Sequence, residues 1–378
     1  MRVVCAPDSF KESLTALEAA RAMAAGVRRA DPAAEVDIVP MADGGEGTVR
    51  AVADALGGAL VTATVDDALG RPRPATYALA GDLAVIELAE AAGLAHLAAA
   101  ERDTRRTSTG GVGQLIRHAL DRGARRVLLG LGGSATTDAG AGLAHALGVR
   151  FLDADGRELP PGGAALARLA RVDVTGLDPR VAATAFQVAC DVTNPLLGPR
   201  GAAAVFGPQK GADATAVADL DAALTRWADV VEAAVGRSVR DVPGAGAAGG
   251  TGAGLLAFTP AVLARGVELV AAAVGLAGRI RGADWVFTGE GSIDAQTLSG
   301  KTPWGVAAVA HAEGVPSVWF GGRVTLDVTD VAGLGVRAVV PIVGADVALE
   351  RALADGARNL SAAAERACRR LATIGRGI

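Results

Sequence analysis

Residues 283–322 read ADWVFTGEGSIDAQTLSGKTPWGVAAVAHAEGVPSVWFGG and contain a strand, a loop, a helix and a second strand in sequence. ADWVFT has the apolar run of a short buried strand. Thr302 is placed to cap the helix PWGVAAVAHAEG and Pro303 to open it, because the N–H that proline lacks has no helical partner in the first turn. PSVWFGG is the next strand. The loop between, GEGSIDAQTLSGKT, holds two carboxylates (Glu290, Asp294), one ammonium (Lys301) and several hydroxyls, among them Ser299. A segment built only for connection has no use for that mixture.

The same rhythm extends to both ends of the chain. RVVCA is a strand, PDSFKES a polar loop, and TALE (Thr15–Glu18) has the spacing of a capping box that opens a helix. EVDIVP, the loop MADGGEGT and a helix through VADALGG follow. At the other end stand the strand VRAVVPIV and a long closing helix through VALERALADGARNLSAAAERACRRLA. Five short apolar strands alternating with helices predict a parallel, doubly wound, flavodoxin-like α/β sheet of order 2-1-3-4-5, with its ligand loops at the strands' carboxyl ends. Residues 1–58 and 283–378 form this discontinuous domain in the sequence reading, and residues 59–282 a larger inserted α/β domain. The insert opens with VTATVDD, ATYALAG and LAVIELAE as an antiparallel patch, followed by the strands RRVLLGL and AFQVAC. VPGAGAAGGTGAG carries too many glycines to be expected in regular structure.

Composition narrows the function. The net charge is −4 and no basic block occurs, which argues against nucleic acid as a partner. No apolar run reaches membrane-spanning length, and Met1 leads directly into a strand pattern, so a soluble, cytoplasmic protein without a leader is expected. The three cysteines are far apart and lack metal-ligand spacing. The four histidines sit in helix-like, mostly apolar settings and read as packing or surface residues. Of 37 basic residues only Lys11, Lys210 and Lys301 are lysines, each in a polar, turn-rich stretch. A chain this committed to arginine keeps lysine where a compact point charge is needed.

GGSATTDAGAG follows a strand and precedes a helix; Gly133, Ser134, Thr136 and Thr137 there suit an anion held by backbone N–H groups. AQTLSGKT satisfies a relaxed Walker pattern, but GEGSID separates it from its strand, so it is not read as a P-loop. The loop carboxylates are Asp8, Asp43, Glu46, Asp138, Asp191, Glu290 and Asp294. Asp191 stands out, because it ends the strand FQVAC and precedes the turn TNP, and an acid held there can either bind Mg²⁺ or act as base toward an alcohol. Lysines, glycine-rich anion loops and spare carboxylates, without a histidine or cysteine nucleophile, suit phosphoryl transfer.

Taken in order, APDSFKESL, MADGGEGT, GGSATTDAGAG, DVTNPLLG, FGPQKGA, PGAGAAGG and GEGSIDAQTLSGKTP resemble the bacterial glycerate kinase family that is unrelated to P-loop kinases. The resemblance runs from Met1 to about Cys368. It implies ATP- and Mg²⁺-dependent phosphorylation of D-glycerate, most simply to 2-phospho-D-glycerate, and an inserted domain likened to restriction enzymes. TSTGGVGQL departs from the family's tyrosine-containing version of that motif, and FGGRV from its usual strand end. On this basis Asp191, Lys11 and Lys301 are expected to be catalytic. Ser9, Asp43, Gly44, Gly45, Gly133, Ser134, Thr136, Asn194, Lys210 and Ser299 are expected to bind substrate or phosphate, with Glu290 and Asp294 on Mg²⁺. The alternatives are a 3-phosphoglycerate-forming enzyme, a kinase of another small hydroxy acid, and a catalytically silent sensor of small acids.

Overall fold

The computed structural model describes residues 1–344 and 346–374. The chain folds as two compact units: Met1–Asp43, Arg50–Gly58 and Val267–Ile378 form one, Gly44–Val49 and Ala59–Gly266 the other. The first unit thus takes in residues 267–282, which the sequence reading assigned to the insert. Arg279 holds them there, donating to the Asp37 carboxylate (3.1 Å) and to Ala55 O (3.1 Å).

The first unit is built on five parallel strands: Arg2–Cys5, Glu35–Ile38, Trp285–Ile293, Ser317–Val324 and Val336–Pro341. Numbered along the sheet's own chain order they lie 2-1-3-4-5, as the alternation of apolar strands and helices predicts. The core includes Val3, Cys5, Phe287, Val318 and Phe320, all fully buried, beneath the helices Ala16–Ala30 and Gly356–Ile374. Thr15 forms the expected capping box with Glu18.

Three details depart from the sequence reading. The third strand does not stop before GEGSI but pairs on through Ile293, opposite Val324. Gly289 permits this: a Cβ there would lie 2.1 Å from Phe320 O of the neighbouring strand. Lys301, not Thr302, occupies the N-cap position of the helix Thr302–Ala312, with Pro303 in its first turn. The closing helix is two helices, Leu349–Ala354 and Gly356–Ile374; the Ser13 hydroxyl takes Leu353 O at the break (2.6 Å).

The second unit carries a six-stranded mixed sheet. Ala59–Asp66, Pro72–Ala80 and Leu83–Glu87 are antiparallel, and Arg126–Gly130, Ala185–Ala189 and Val262–Ala264 continue parallel from Leu83–Glu87. A second cluster packs around Trp227, Phe151 and Phe258, whose rings meet edge to face. The glycine-rich stretch expected to be irregular supplies the helix Ala247–Phe258, kinked at Ala248–Gly250. It is buried, and the small side chains that read as irregular are what let it pack; Gly249 O accepts from Ala139 N (3.0 Å) at the end of the GGSATTD loop. Among the described residues no helix is long and apolar enough to cross a membrane.

Candidate active site

In the first unit the carboxyl ends of the first and third strands carry most of the candidate side chains. Ala6 N donates to Phe287 O (2.7 Å) and Asp8 N to Gly289 O (2.9 Å), so the PDS segment runs on beside the extended third strand. Asp8 accepts from Ser9 N (2.6 Å) and from the hydroxyl of Thr302. That bond is where the Thr302 side chain goes instead of capping its own helix. Burial, followed by the charge of Asp43, pushes the Asp8 carboxyl up to about 7, against the pull of its bonds to Thr302 and Ser9.

Glu290, 8% exposed, accepts from the Thr297 hydroxyl (2.8 Å) and stands 3.7 Å from the Lys301 ammonium. Burial raises its pKa, while Thr297 and Lys301 oppose the shift. Asp294 accepts from Gln296 N (2.9 Å) and the Ser292 hydroxyl (3.1 Å), and the Gln296 bond leads in holding its pKa low. Lys11 is exposed at the tip of a turn closed by two backbone bonds between Phe10 and Leu14 (2.9 and 2.8 Å). Ser9 is half-buried, and Ser299 is exposed.

In the second unit the parallel strands also present their carboxyl ends to loops. Gly44 packs against the end of Ala185–Ala189 so closely that a Cβ would lie 2.5 Å from Ala189 Cβ, and Gly45 neighbours Gly132. Glu87 ends Leu83–Glu87 nearly buried and accepts from Val49 N (2.8 Å), which fixes the end of the DGGEGT segment. Burial pushes Glu87 up to about 7. Asp191 is exposed, with Oδ1 accepting from Gly266 N (3.1 Å).

The GGSATTD loop is organised from within. Only Gly132 and Gly133 of its residues are exposed. The hydroxyls of Ser134 and Thr136 face each other (3.1 Å), and the Lys210 ammonium, 2% exposed, donates to Thr136 O (2.6 Å) and Ser134 Oγ (3.3 Å). Asp138 is fully buried and gathers Thr109 N and hydroxyl, Gly140 N and Gly142 N. The first N–H groups of the following helix, Ala141–Ala146, are thereby spent within the protein: Ala141 N on Asp138 O, Gly142 N on the Asp138 carboxylate and Leu143 N on the Thr109 hydroxyl. Asn194, half-buried, donates to Arg200 O (2.8 Å).

The family model described as the glycerate kinase family matches residues 3–372. The chain belongs to the glycerate kinase family. That makes it an ATP-dependent kinase. It is 47% identical to a glycerate kinase of Halalkalibacterium halodurans over 374 residues, covering 98% of this chain and 97% of that one. It is 46% identical to the glycerate 2-kinase of Escherichia coli K12 over 344 residues, 90% of each chain. A Salmonella typhimurium LT2 protein solved as a candidate glycerate kinase 2 superposes with a TM-score of 0.93 at 44% identity, over 100% of this chain and 99% of that one.

Among the described residues of this family member, no three acidic, histidine or cysteine groups are arranged to hold a metal ion. Glu290 and Asp294 are each partly committed, to Thr297 and to the Asp294–Gln296 turn. Such a donor set suits a Mg²⁺ that arrives on nucleotide phosphates and takes one or two protein carboxylates, not a resident ion in an all-protein cage. Two residues of interest do not stand out in the sequence. Asp8 is one loop carboxylate among seven. Glu87 does carry a signal, a charge ending an otherwise apolar strand, but a weak one.

Proposed function

We propose that this protein transfers the γ-phosphoryl group of ATP to D-glycerate, giving ADP and 2-phospho-D-glycerate in the cytoplasm. The observation that carries the reading is the 46% identity to a glycerate 2-kinase over nine-tenths of both chains. The side chains of the first unit support it. Asp8, with a carboxyl titrating near neutrality, takes the proton of the attacking hydroxyl, the role first expected of Asp191. The oxygen forms its bond to the γ-phosphorus as the bond to the β-bridging oxygen breaks and ADP departs. Lys301, beside Glu290 at the head of an eleven-residue helix, neutralises phosphoryl oxygens, and Lys11 offers a second, mobile ammonium. Glu290 and Asp294 would hold the Mg²⁺ brought by ATP, which would supply charge neutralisation at the phosphates. In the second unit the exposed backbone of Gly132–Gly133 and of Gly45 receives an anionic group, while Ser134, Thr136, Lys210 and Asn194 hold the loops in shape instead of touching ligand.

The test is ADP formation with D-glycerate and MgATP, with the product resolved by enolase. Turnover by enolase alone is the expected result. Turnover only after a phosphoglycerate mutase is added would change the product to 3-phosphoglycerate. No ADP at all would overturn the substrate and lead to other hydroxy acids.

Lys301→Ala is expected to lower kcat/KM more than about tenfold, because a charge-assisted bond contributes roughly 1.5–3 kcal/mol and tenfold is about 1.4. Steady-state kinetics within about threefold of the parent would remove Lys301 from the site.

A further inference from the structure

The motif TSTGGVGQL (Thr107–Leu115) has no part in the chemistry above, yet it lines a cavity of about 470 Å³ in the second unit. That volume lies in the range of small-molecule sites. The helix Gly110–Asp121 presents Gly110, Gln114 and Arg117 to it from one face, at i, i+4 and i+7. Gly142 brings the next helix in: a Cβ there would lie 2.2 Å from Ser108 Oγ. Phe151, Leu159 and Leu166 make an apolar wall.

The charges around this cavity do not cancel. The Asp66 carboxylate accepts from the neutral Gln114 amide (2.7 Å) and the Asp66 backbone N–H donates to Gln114 Oε1 (2.7 Å), so the carboxylate is held but keeps its charge. Asp67 is taken by the Arg71 side chain (2.7 Å) and by two backbone N–H groups. Arg117 gives one N–H to Ala146 O (3.2 Å). Arg106 is exposed, and its guanidinium makes no hydrogen bond or ion pair among the described residues. With Asp67 matched by Arg71, Arg106 and Arg117 set two cationic charges against the single carboxylate of Asp66, and the remaining wall is largely apolar.

We propose that this cavity binds an organic anion, with a carboxylate or phosphate head at Arg106 and an apolar body against Phe151, Leu159 and Leu166. Ser108 and Gly142 line it, and their neighbours matter for the kinase. Thr109 follows Ser108 and holds Asp138, which also takes Gly142 N. A ligand here presses on the clasp that fixes the GGSATTD loop and so alters turnover. That last consequence rests on the kinase reading; binding does not.

The experiment is calorimetric titration of the full chain with phenyl phosphate and with hexanoate, alongside inorganic phosphate, in the parent, Arg106→Ala and Leu159→Ser. The expected result is saturable binding of at least one amphipathic anion in the millimolar range or tighter, and weaker binding of inorganic phosphate. Arg106→Ala should weaken the amphipathic anion about tenfold or more and Leu159→Ser severalfold, with turnover in the absence of probe unchanged in Arg106→Ala. A preference for phenyl phosphate or for hexanoate identifies the head group. No heat from either amphipathic anion, or an affinity indifferent to Arg106→Ala, overturns the proposal whatever the turnover assay shows.

Discussion

Asp8→Asn is expected to lower kcat/KM by about 10²–10⁴-fold and, at neutral pH, to make the protein more stable. Both effects come from one arrangement. The Asp8 carboxyl is raised from 3.8 to about 7 by burial and by Asp43, so the folded protein holds this proton more tightly than the unfolded chain does. Between about pH 4 and 7 the native state binds more protons, and stability falls as pH rises; above about 7 the whole cost of the buried charge is present. Asparagine removes that cost: its oxygen keeps the Ser9 N–H and its NH2 donates to the Thr302 hydroxyl, which then accepts. The variant's Tm should exceed the parent's at about pH 8, and the difference should vanish below about pH 4. In the parent, kcat/KM should fall about tenfold per unit as pH drops below about 7, where Asp8 takes up its proton. A pH profile that stays flat across this range, or an active Asp8→Asn, would return the role of base to Asp191.

The parallel sheet and its order were legible because strands buried on both faces leave uninterrupted apolar runs, and Val3–Cys5 and Val286–Phe287 are such runs. What escaped was set by distant partners. Gly289, Glu290 and Ser292 have the composition of a loop, and only pairing with Phe320–Val324 makes them strand. Thr302 obeys the local rule for a cap, but Asp8, 294 residues away, claims its hydroxyl. Asp8 follows the first strand, Glu290 lies in the extension of the third and Lys301 heads the helix after it, around the edge where the fold class places ligands. Ser134, Thr136 and Asn194 sit in turns whose own backbone uses them, and turn sequences look alike whether they hold a ligand or hold themselves. Lys210 reads as a mobile loop charge from its polar setting in GPQKGA. Nothing in that setting shows that its ammonium is enclosed.

Lys210→Met is expected to lower kcat/KM about tenfold or more while leaving stability unchanged or raised. The ammonium is 2% exposed and, among the described residues, forms no ion pair; Asp138 contributes only at longer range. Burial lowers the Lys210 pKa from 10.5 to about 7. The unfolded chain therefore binds more protons than the native state between about pH 7 and 10, and parent stability should rise with pH there by at most about 1.4 kcal/mol per unit. Below about 7 the buried charge costs the most. Methionine fills a similar volume without it, so the gain should be largest near pH 6, and the variant's melts should lack the alkaline slope. What methionine cannot do is hold Thr136 O, 2.6 Å from the ammonium, and with it the turn that exposes Gly132 and Gly133. A loosened loop binds its anion less well, so the loss should appear chiefly in KM for the substrate that loop receives, with a smaller change in kcat. Thermal melts across pH, run beside steady-state kinetics for both substrates, separate the two contributions. Parent kinetics with a raised Tm would make Lys210 a costly filler, whereas a variant both inactive and less stable would place the tether in the unit's folding instead of its ligand loop.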